Sequence, residues 1–425
     1  MKVQLIVPAT HKNRKKSGKV ILPPLGMATI AALTPPEVEV SLVDENVTRI
    51  DYLKDVDLVG ITSLTSTSQR AYEIADTFRA MGKKVVLGGI HASVLPEEAI
   101  QHADAVVIGE AEGTWPGLIA DFQKNKLQKF YHQSERPSLN GLPHPRRDLF
   151  AKRSYYFNNT IYTTRGCPYS CSFCTVTSFF GRTYRCRPVA EVIAEIKTLN
   201  RKKHFIFLDD NIVGNPKYSK ELFRALIPLK IKWVGQCSVT IANDDELLKL
   251  AAASGCVDLF IGLESLSPDS LKAINKKTNS VDEYDVVIKK LHDAGIGIHG
   301  FFIFGLDGDD IDSFQRTVRF AQKARLESAQ FDILTPYPGT AIFTSLEKEG
   351  RILTKDWAQY GHDLMFEPKT LSRELLQEGR QWAWREFYSL PSIWKRIGGR
   401  HHDSLLFWVA NLYYYYQVHR LRTLH

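Results

Sequence analysis

Short β-branched apolar runs alternate with amphipathic segments twice along this chain, and that double alternation restricts the fold more than any other feature. Runs at 2–7 (KVQLIV), 38–43 (VEVSLV), 58–62 (LVGIT), 84–88 (KVVLG) and 105–108 (AVVI) are separated by helix-like stretches at 26–33, 67–81, 96–102 and 114–123. Strands alternating with helices predict an α/β fold, here a doubly wound, Rossmann-like parallel sheet that takes ligands at the carboxyl ends of its strands. A polar, proline-bearing stretch, SERPSLNGLPHPRRD (134–148), interrupts the pattern, which then restarts. Strands at 160–164, 204–208, 231–236, 256–262, 296–304 and 328–335 alternate with helices at 188–199, 217–228, 244–253, 281–294 and 311–325. Six βα units predict a partial TIM-like barrel whose reactive groups stand just after the strand ends. The expected division is a sheet domain at 1–130, a linker at 131–155, a (βα)6 barrel at 156–345 and a helical, aromatic-rich segment at 346–425.

A length of 425 residues accommodates several cores, and 44% hydrophobic with 24% charged residues excludes disordered and fibrous chains. The first residues, MKVQLIVPAT, lack the charged-then-apolar-then-small pattern of a signal peptide, and no uncharged run approaches the roughly 20 residues of a membrane span, so a cytoplasmic protein is expected. A chain this long is no small disulfide scaffold, and disulfides are unusual in the cytoplasm, so a tight cysteine cluster points to metal binding or redox chemistry. The net charge of +8 comes with no nucleic-acid-binding motif, so no nucleic-acid partner is expected.

Three of the cysteines, Cys167, Cys171 and Cys174, lie in TTRGCPYSCSFCTV directly after the first barrel strand. Thiolates spaced C-x3-C-x2-C can wrap one face of a [4Fe–4S] cube and leave a fourth iron open to a cofactor. Zinc is the alternative, but a structural zinc site wants four ligands and no second pair stands nearby; His204 is too distant in sequence. The third reading, three buried cysteines without a ligand, sits poorly with Pro168, Ser170 and Ser172, which make the loop polar. Cys186, Cys237 and Cys256 are isolated, and Cys256 reads as a structural strand residue.

The motif and its place after a strand resemble the radical S-adenosylmethionine (SAM) superfamily. The resemblance implies that the open iron chelates SAM, and that one electron from the reduced cluster releases a 5′-deoxyadenosyl radical. It places Phe173 beside the adenine, and Asp209 and Asp210 (FLDDNI) where the family accepts from the SAM ammonium. It likewise implies SAM contacts for Ser238, Glu264 and Phe302, while helix capping by Asp209 or a solvated turn at Glu264 would explain those residues equally well. Gly262, Gly305 and Gly308 would admit the ligand to the backbone or simply form turns.

The first domain resembles the cobalamin-binding domain of B12-dependent radical SAM enzymes in PPLGMATIAAL (23–33), GITSLTST (60–67), GGIHASVLPEE (88–98) and GEAEGTWP (109–116). The resemblance implies cobalamin contacts at Ser63, Leu64, Thr65, Gly88, Gly89, His91 and Glu110, with His91 a loop residue near the ring rather than a cobalt ligand. Asn46 stands where many such domains place the cobalt-ligating histidine, so that lower ligand is missing. GRTYRCRP resembles a segment of the same branch, in which Arg185 and Arg187 either bind an anion or brace the cysteine loop.

Together these features imply a cobalamin-dependent radical SAM methyltransferase acting on an unactivated carbon, with an external flavodoxin- or ferredoxin-type electron donor. No Ser/His/Asp nucleophile is needed, and no catalytic residue is assigned beyond the cofactors. A cyclase, oxidase or ring-rearrangement enzyme with the same cofactors is the alternative, and an iron–sulfur electron-transfer protein without SAM turnover is the alternative of another class. YPGTAIF (337–343) resembles a segment that closes the barrel. Beyond it, Trp382, Trp384, Trp394, Trp408 and Tyr413 to Tyr416 lie among Arg385, Lys395, Arg396, Arg420 and Arg422. That mixture suits helices packed on the barrel or in a dimer contact; it also suits a peripheral membrane contact or a large apolar substrate such as a lipid, terpenoid or tetrapyrrole. The basic loop HKNRKKSGK (11–19) reads as solvated, or as an anion site beside PPLG.

Overall fold

The computed structural model describes residues 1–9, 21–151, 154, 155, 157–361, 364–397 and 404–420. The basic loop 11–19 and Arg422 lie outside the described residues.

Six parallel strands make the first sheet: β1 (Lys2–Val7), β2 (Glu39–Asp44), β3 (Leu58–Thr62), β4 (Lys84–Gly88), β5 (Ala105–Ile108) and β6 (Phe130–His132), in the order β2-β1-β3-β4-β5-β6. The central strands read as unbroken apolar runs because helices cover both faces. Ile74, Ala75 and Phe78 of the helix Ser68–Ala80 pack with Val59 and Val85 in one core. Trp115, Leu118 and Ile119 of the helix Trp115–Gln123 join Leu58 and Val86 in another. Two features depart from the sequence reading. β6 falls across the start of the expected linker, its three residues being too few to show periodicity. The 88–98 segment is helical from Gly89 to Val94 before a second short helix, Pro96–Ala99.

The second sheet runs in chain order: β7 (Thr160–Ile161), β10 (Phe205–Phe207), β11 (Trp233–Cys237), β12 (Cys256–Glu264), β13 (Gly297–Phe304) and β14 (Ser328–Ile333), all parallel, as a partial barrel requires. The expected strand 160–164 is split. After Ile161 the chain leaves the sheet, and β8 (Thr164–Arg165) pairs antiparallel with β9 (Arg185–Cys186). The cause is local: the N–H groups of Thr163 and Thr164 donate to one oxygen of Asp209 instead of a neighbouring strand.

Three helices, Arg373–Phe387, Leu390–Ile397 and Ser404–Arg420, follow the barrel and cover its open edge at β14. An edge strand presents unpaired backbone groups, and here side chains take them up. Trp384 Nε1 donates to the Phe331 carbonyl (2.7 Å), and the Tyr388 hydroxyl bonds both the carbonyl (2.7 Å) and the N–H (3.1 Å) of Ala329. Arg396, almost wholly buried, donates to the Leu326 carbonyl at 2.7 Å and lies 3.7 Å over the Phe387 ring. Part of the aromatic segment is therefore barrel core. Trp394, Leu405, Val409, Leu412 and Tyr416 are instead exposed. Among the described residues, no helix is long and apolar enough to cross a membrane.

Candidate active site

The cysteine loop follows β8 and is stapled to two other segments. Ser172 N–H donates to the Ile274 carbonyl (2.9 Å), the Asn275 amide donates to the Ser170 carbonyl (2.7 Å), and Ile342 N–H donates to the Ser172 carbonyl (2.9 Å). Cys174 is the residue immediately before the short helix Thr175–Phe180. None of the three thiols is in a disulfide. Burial pushes Cys171 up to about 11 and raises Cys167, so both ionise at neutral pH only against a cation. The Asn211 amide lies 3.9 Å from Cys167 Sγ, an N–H···S contact of the kind that sets cluster potentials. Among the described residues no three His, Cys, Asp or Glu side chains converge on one metal ion, and a cube spaces its ligands more widely than a single ion does. A soft three-sulfur donor set on one loop fits that cube.

At the end of β12 the ladder to β13 slips between Gly262 and Glu264, and Glu264 adopts φ +66. This left-handed residue, costly without a compensating contact, turns its carboxylate onto Lys276 Nζ at 2.6 Å. A Cβ on Gly262 would lie 2.1 Å from that carboxylate, so a larger residue there would push the Glu264 side chain out of this position. Lys276 Nζ in turn lies 5.9 Å from the Phe173 ring centroid, and Ser238 receives an N–H···O contact from the Asn211 amide at 3.4 Å. Phe173, Ser238 and Glu264 thus stand around the loop. Lys276, Asn211 and Asn275 join them unforeseen; only the neighbourhood of FLDDNI and the polar run INKKTN hinted at them.

Asp209 is buried, and its Oδ1 accepts from both Thr163 and Thr164, through backbone and hydroxyl alike. Its Oδ2 has no partner among the described residues, and burial raises its pKa to about 6 despite those bonds. Asp210 accepts from Gly166 N–H at 3.0 Å. Phe302 lies elsewhere. It is 1% exposed and stacks on Phe331 at 5.7 Å, facing the outer helices, while its neighbour Ile303 faces inward. Alternation along a strand decides this, and the sequence reading was one residue out of phase.

A cavity of about 580 Å3 opens beside the loop, bounded by Phe173 and Cys174, by Ile303 and Ile333 from the last strands, and by Arg380 from the helix Arg373–Phe387. Tyr337 of the YPGTAIF segment also lines it.

In the first sheet, Ser63 donates to the Gly88 carbonyl (3.2 Å), Leu64 is 52% exposed, and Thr65 is buried. Gly89 has φ +90, and a Cβ there would meet the Ser63 carbonyl at 2.7 Å, so glycine holds these two loops together. A smaller cleft, about 260 Å3, opens at the ends of β4 and β5 between Ile90, Ser93, Gly109 and Ser178 of the barrel. His91 is no loop residue. It is helical and fully buried, with Nδ1 3.3 Å from Thr65 Oγ1 and Nε2 3.1 Å from Glu98 Oε1. Glu110 is likewise committed, bonding Arg165 (2.6 Å) through one oxygen and Arg185 (2.5 Å) through the other. Arg187 binds Glu195 at 2.7 Å, so Arg185 and Arg187 brace rather than await an anion.

Comparison with known proteins agrees with both halves of this geometry. The B12 binding domain family matches residues 16–119 and the Radical SAM superfamily matches residues 161–321. The bacteriochlorophyllide d C-12(1)-methyltransferase of Chlorobaculum tepidum is 35% identical over 409 residues, covering 93% of this chain and 89% of its own. The chain belongs to the cobalamin-dependent radical SAM methyltransferase family. The C-8(2)-methyltransferase of the same organism is 36% identical over 354 residues, 79% of this chain and 78% of its own. Among solved structures, TsrM of Kitasatospora setae with tryptophan and a SAM analogue bound superposes with a TM-score of 0.69 at 16% identity, covering 98% of this chain and 88% of that one. The cofactors of this family member are a [4Fe–4S] cluster, SAM and cobalamin, and its substrate is a small molecule.

Proposed function

We propose that the protein transfers a methyl group to an unactivated peripheral carbon of a tetrapyrrole macrocycle. The observation that carries this is the cavity of about 580 Å3 that reaches Phe173 and Cys174, with Ile303, Ile333 and Leu334 on its strand side beside Gln330 and Asp332, large enough to seat much of a flat macrocycle. The bacteriochlorophyllide relatives supply the substrate class. When bound, the cluster supplies the electron that cleaves SAM, and cobalamin supplies the methyl group.

The chain's own residues bind and position. Cys167, Cys171 and Cys174 hold the cluster, with the Asn211 amide on the Cys167 sulfur. Phe173, Ser238 and Glu264 border SAM, and the Glu264–Lys276 pair ties β12 to the segment whose Asn275 bonds the cluster loop. The unpartnered Oδ2 of Asp209 and the Asp210 carboxylate offer acceptors to its ammonium. Ser63, Leu64, Thr65, Gly88 and Gly89 form the cobalamin platform, and His91 supports it from beneath through Thr65. An external flavodoxin- or ferredoxin-type protein delivers the electron. The exposed stripe Leu405, Val409, Leu412 and Tyr416, with Trp394 and the neighbouring Arg385 and Lys395, rests this cytoplasmic protein on an anionic bilayer.

Anaerobically reconstituted protein, given reductant, SAM labelled in its methyl group and a bacteriochlorophyllide, is expected to return labelled macrocycle. Deoxyadenosine without methyl transfer would overturn this in favour of the cyclase or oxidase alternative. Absence of SAM cleavage under the same conditions would favour the electron-transfer reading. Flotation with anionic vesicles that survives deletion of residues 400–425 would overturn the membrane contact.

A further inference from the structure

Tyr337 brings a phenol to the wall of the cavity beside the cysteine loop, where it is only half-buried. Its backbone is used: the Tyr337 carbonyl accepts from Thr340 N–H (3.2 Å) and from the Thr340 hydroxyl (2.6 Å), which closes the turn YPGT. Its hydroxyl has no hydrogen-bond partner among the described residues. The hydroxyl oxygen lies beside Gly361, another residue of the cavity wall, 3.5 Å from where a Cβ would stand. Burial, with the Asp332 carboxylate adding to it, pushes this phenol up, so it stays protonated and acts as a donor at any working pH.

The turn that carries Tyr337 is held from two sides. Ile342 N–H, five residues on, donates to the Ser172 carbonyl of the cysteine loop at 2.9 Å. Gly339, at φ +81, lies so close to the sheet domain that a Cβ would meet a Val94 methyl at 2.1 Å. Tyr337 is thereby registered both to the loop that holds Cys167, Cys171 and Cys174 and to the domain that carries the cobalamin platform.

The strand side of the cavity mixes Ile303, Ile333 and Leu334 with Gln330, Asp332 and Thr335. Gln330 and Thr335 spend hydrogen bonds within the protein, on Asp332 (2.7 Å) and on the Ile333 carbonyl (3.3 Å). A neutral donor left unmet when a ligand displaces its water costs free energy, and a ligand carbonyl placed against it removes that cost. We infer that the Tyr337 hydroxyl donates to a ring ketone of the substrate, and so is a specificity-determining residue that fixes this carbonyl relative to the cysteine loop and the sheet domain. The inference rests on the tetrapyrrole reading, since a bacteriochlorophyllide is a macrocycle bearing a ring ketone.

The test titrates reconstituted wild type and Tyr337→Phe, each checked for four irons and bound corrinoid, with a bacteriochlorophyllide and with the same macrocycle whose ring ketone is reduced to a methylene. Binding is followed by the macrocycle's absorbance. Wild type is expected to bind the ketone roughly three- to tenfold tighter, the scale of one neutral hydrogen bond. Tyr337→Phe is expected to bind the two equally. In wild type itself, the keto stretch of the bound macrocycle is expected to shift to the hydrogen-bonded range, and in Tyr337→Phe to stay at the free-carbonyl position. A ketone preference that persists in Tyr337→Phe, an equal weakening of both compounds, or a free-carbonyl stretch in wild type would overturn the contact while leaving the macrocycle reading intact. Binding of neither compound by wild type would overturn the macrocycle reading and the contact with it.

Discussion

Glu110 Oε1 lies 2.6 Å from Arg165 Nη1, which bonds a carboxylate of the N-terminal sheet to the residue two places before Cys167. The second oxygen of Glu110 holds Arg185 on β9, and Glu112 adds a second contact to Arg165. The two halves of the enzyme are thus registered at the base of the cysteine loop. A placement mechanism needs this, because cobalt and the radical carbon must face one substrate atom.

Glu110→Gln removes one of two charges that balance the buried guanidinium of Arg165 and the half-buried one of Arg185. Breaking a buried pair from one side costs roughly 3–5 kcal/mol. The variant is expected to show a lower first thermal unfolding midpoint and faster proteolysis within 134–148. It should also make more deoxyadenosine per methylated product, because the halves lose register. An unchanged product ratio would show that the pair only stabilises.

Lys276 puts a positive charge beside Phe173 and Glu264 next to the cysteine loop. Reduction adds an electron to the cluster, so a nearby cation favours the reduced form. Lys276→Met is therefore expected to lower the midpoint potential in an EPR-monitored titration, with four irons retained, and Lys276→Arg to restore it. Equal potentials in all three proteins would refute the electrostatic role.

Phe302 and Ile303 test the phase of β13. Phe302→Ala should cost about 3–5 kcal/mol of stability as a core truncation and leave substrate KM nearly unchanged. Ile303→Trp should fill the cavity and raise KM several-fold at little cost in stability. The reverse pattern would mean that β13 faces the other way.

Burial raises Asp209 to about 6 from 3.8, so in the folded protein it binds a proton more readily than in the unfolded chain. Between these values the folded state carries the extra proton, and stability from this group falls as pH rises, reaching a full deficit above pH 6. The gap between about 6 and 3.8 corresponds to about 3 kcal/mol. Without SAM, the stability difference between Asp209→Asn and wild type should grow by most of that amount from pH 4 to pH 7. A flat difference would contradict it.

What could be read from residues alone was whatever depends on local spacing. The two βα series appear in the sequence because parallel strands buried on both faces must be continuous apolar runs, as in LVGIT and KVVLG. The cysteine triad is legible because its ligands share one loop. Single contacts were not legible, because they depend on phase and on partners far away in the chain. Phe302 differs from Ile303 only in which face of β13 it occupies, and one residue of register exchanges core for cavity. Glu110 and His91 looked available for a ligand until Arg165, Arg185 and Glu98 were brought against them. The aromatic C-terminus was ambiguous for the same reason: Trp384 and Trp394 are ten residues apart in similar sequence, yet one covers the backbone of β14 and the other faces solvent. Local chemistry and periodicity belong to the sequence, whereas the partner that uses up a polar group or covers an aromatic one is chosen only when distant segments pack.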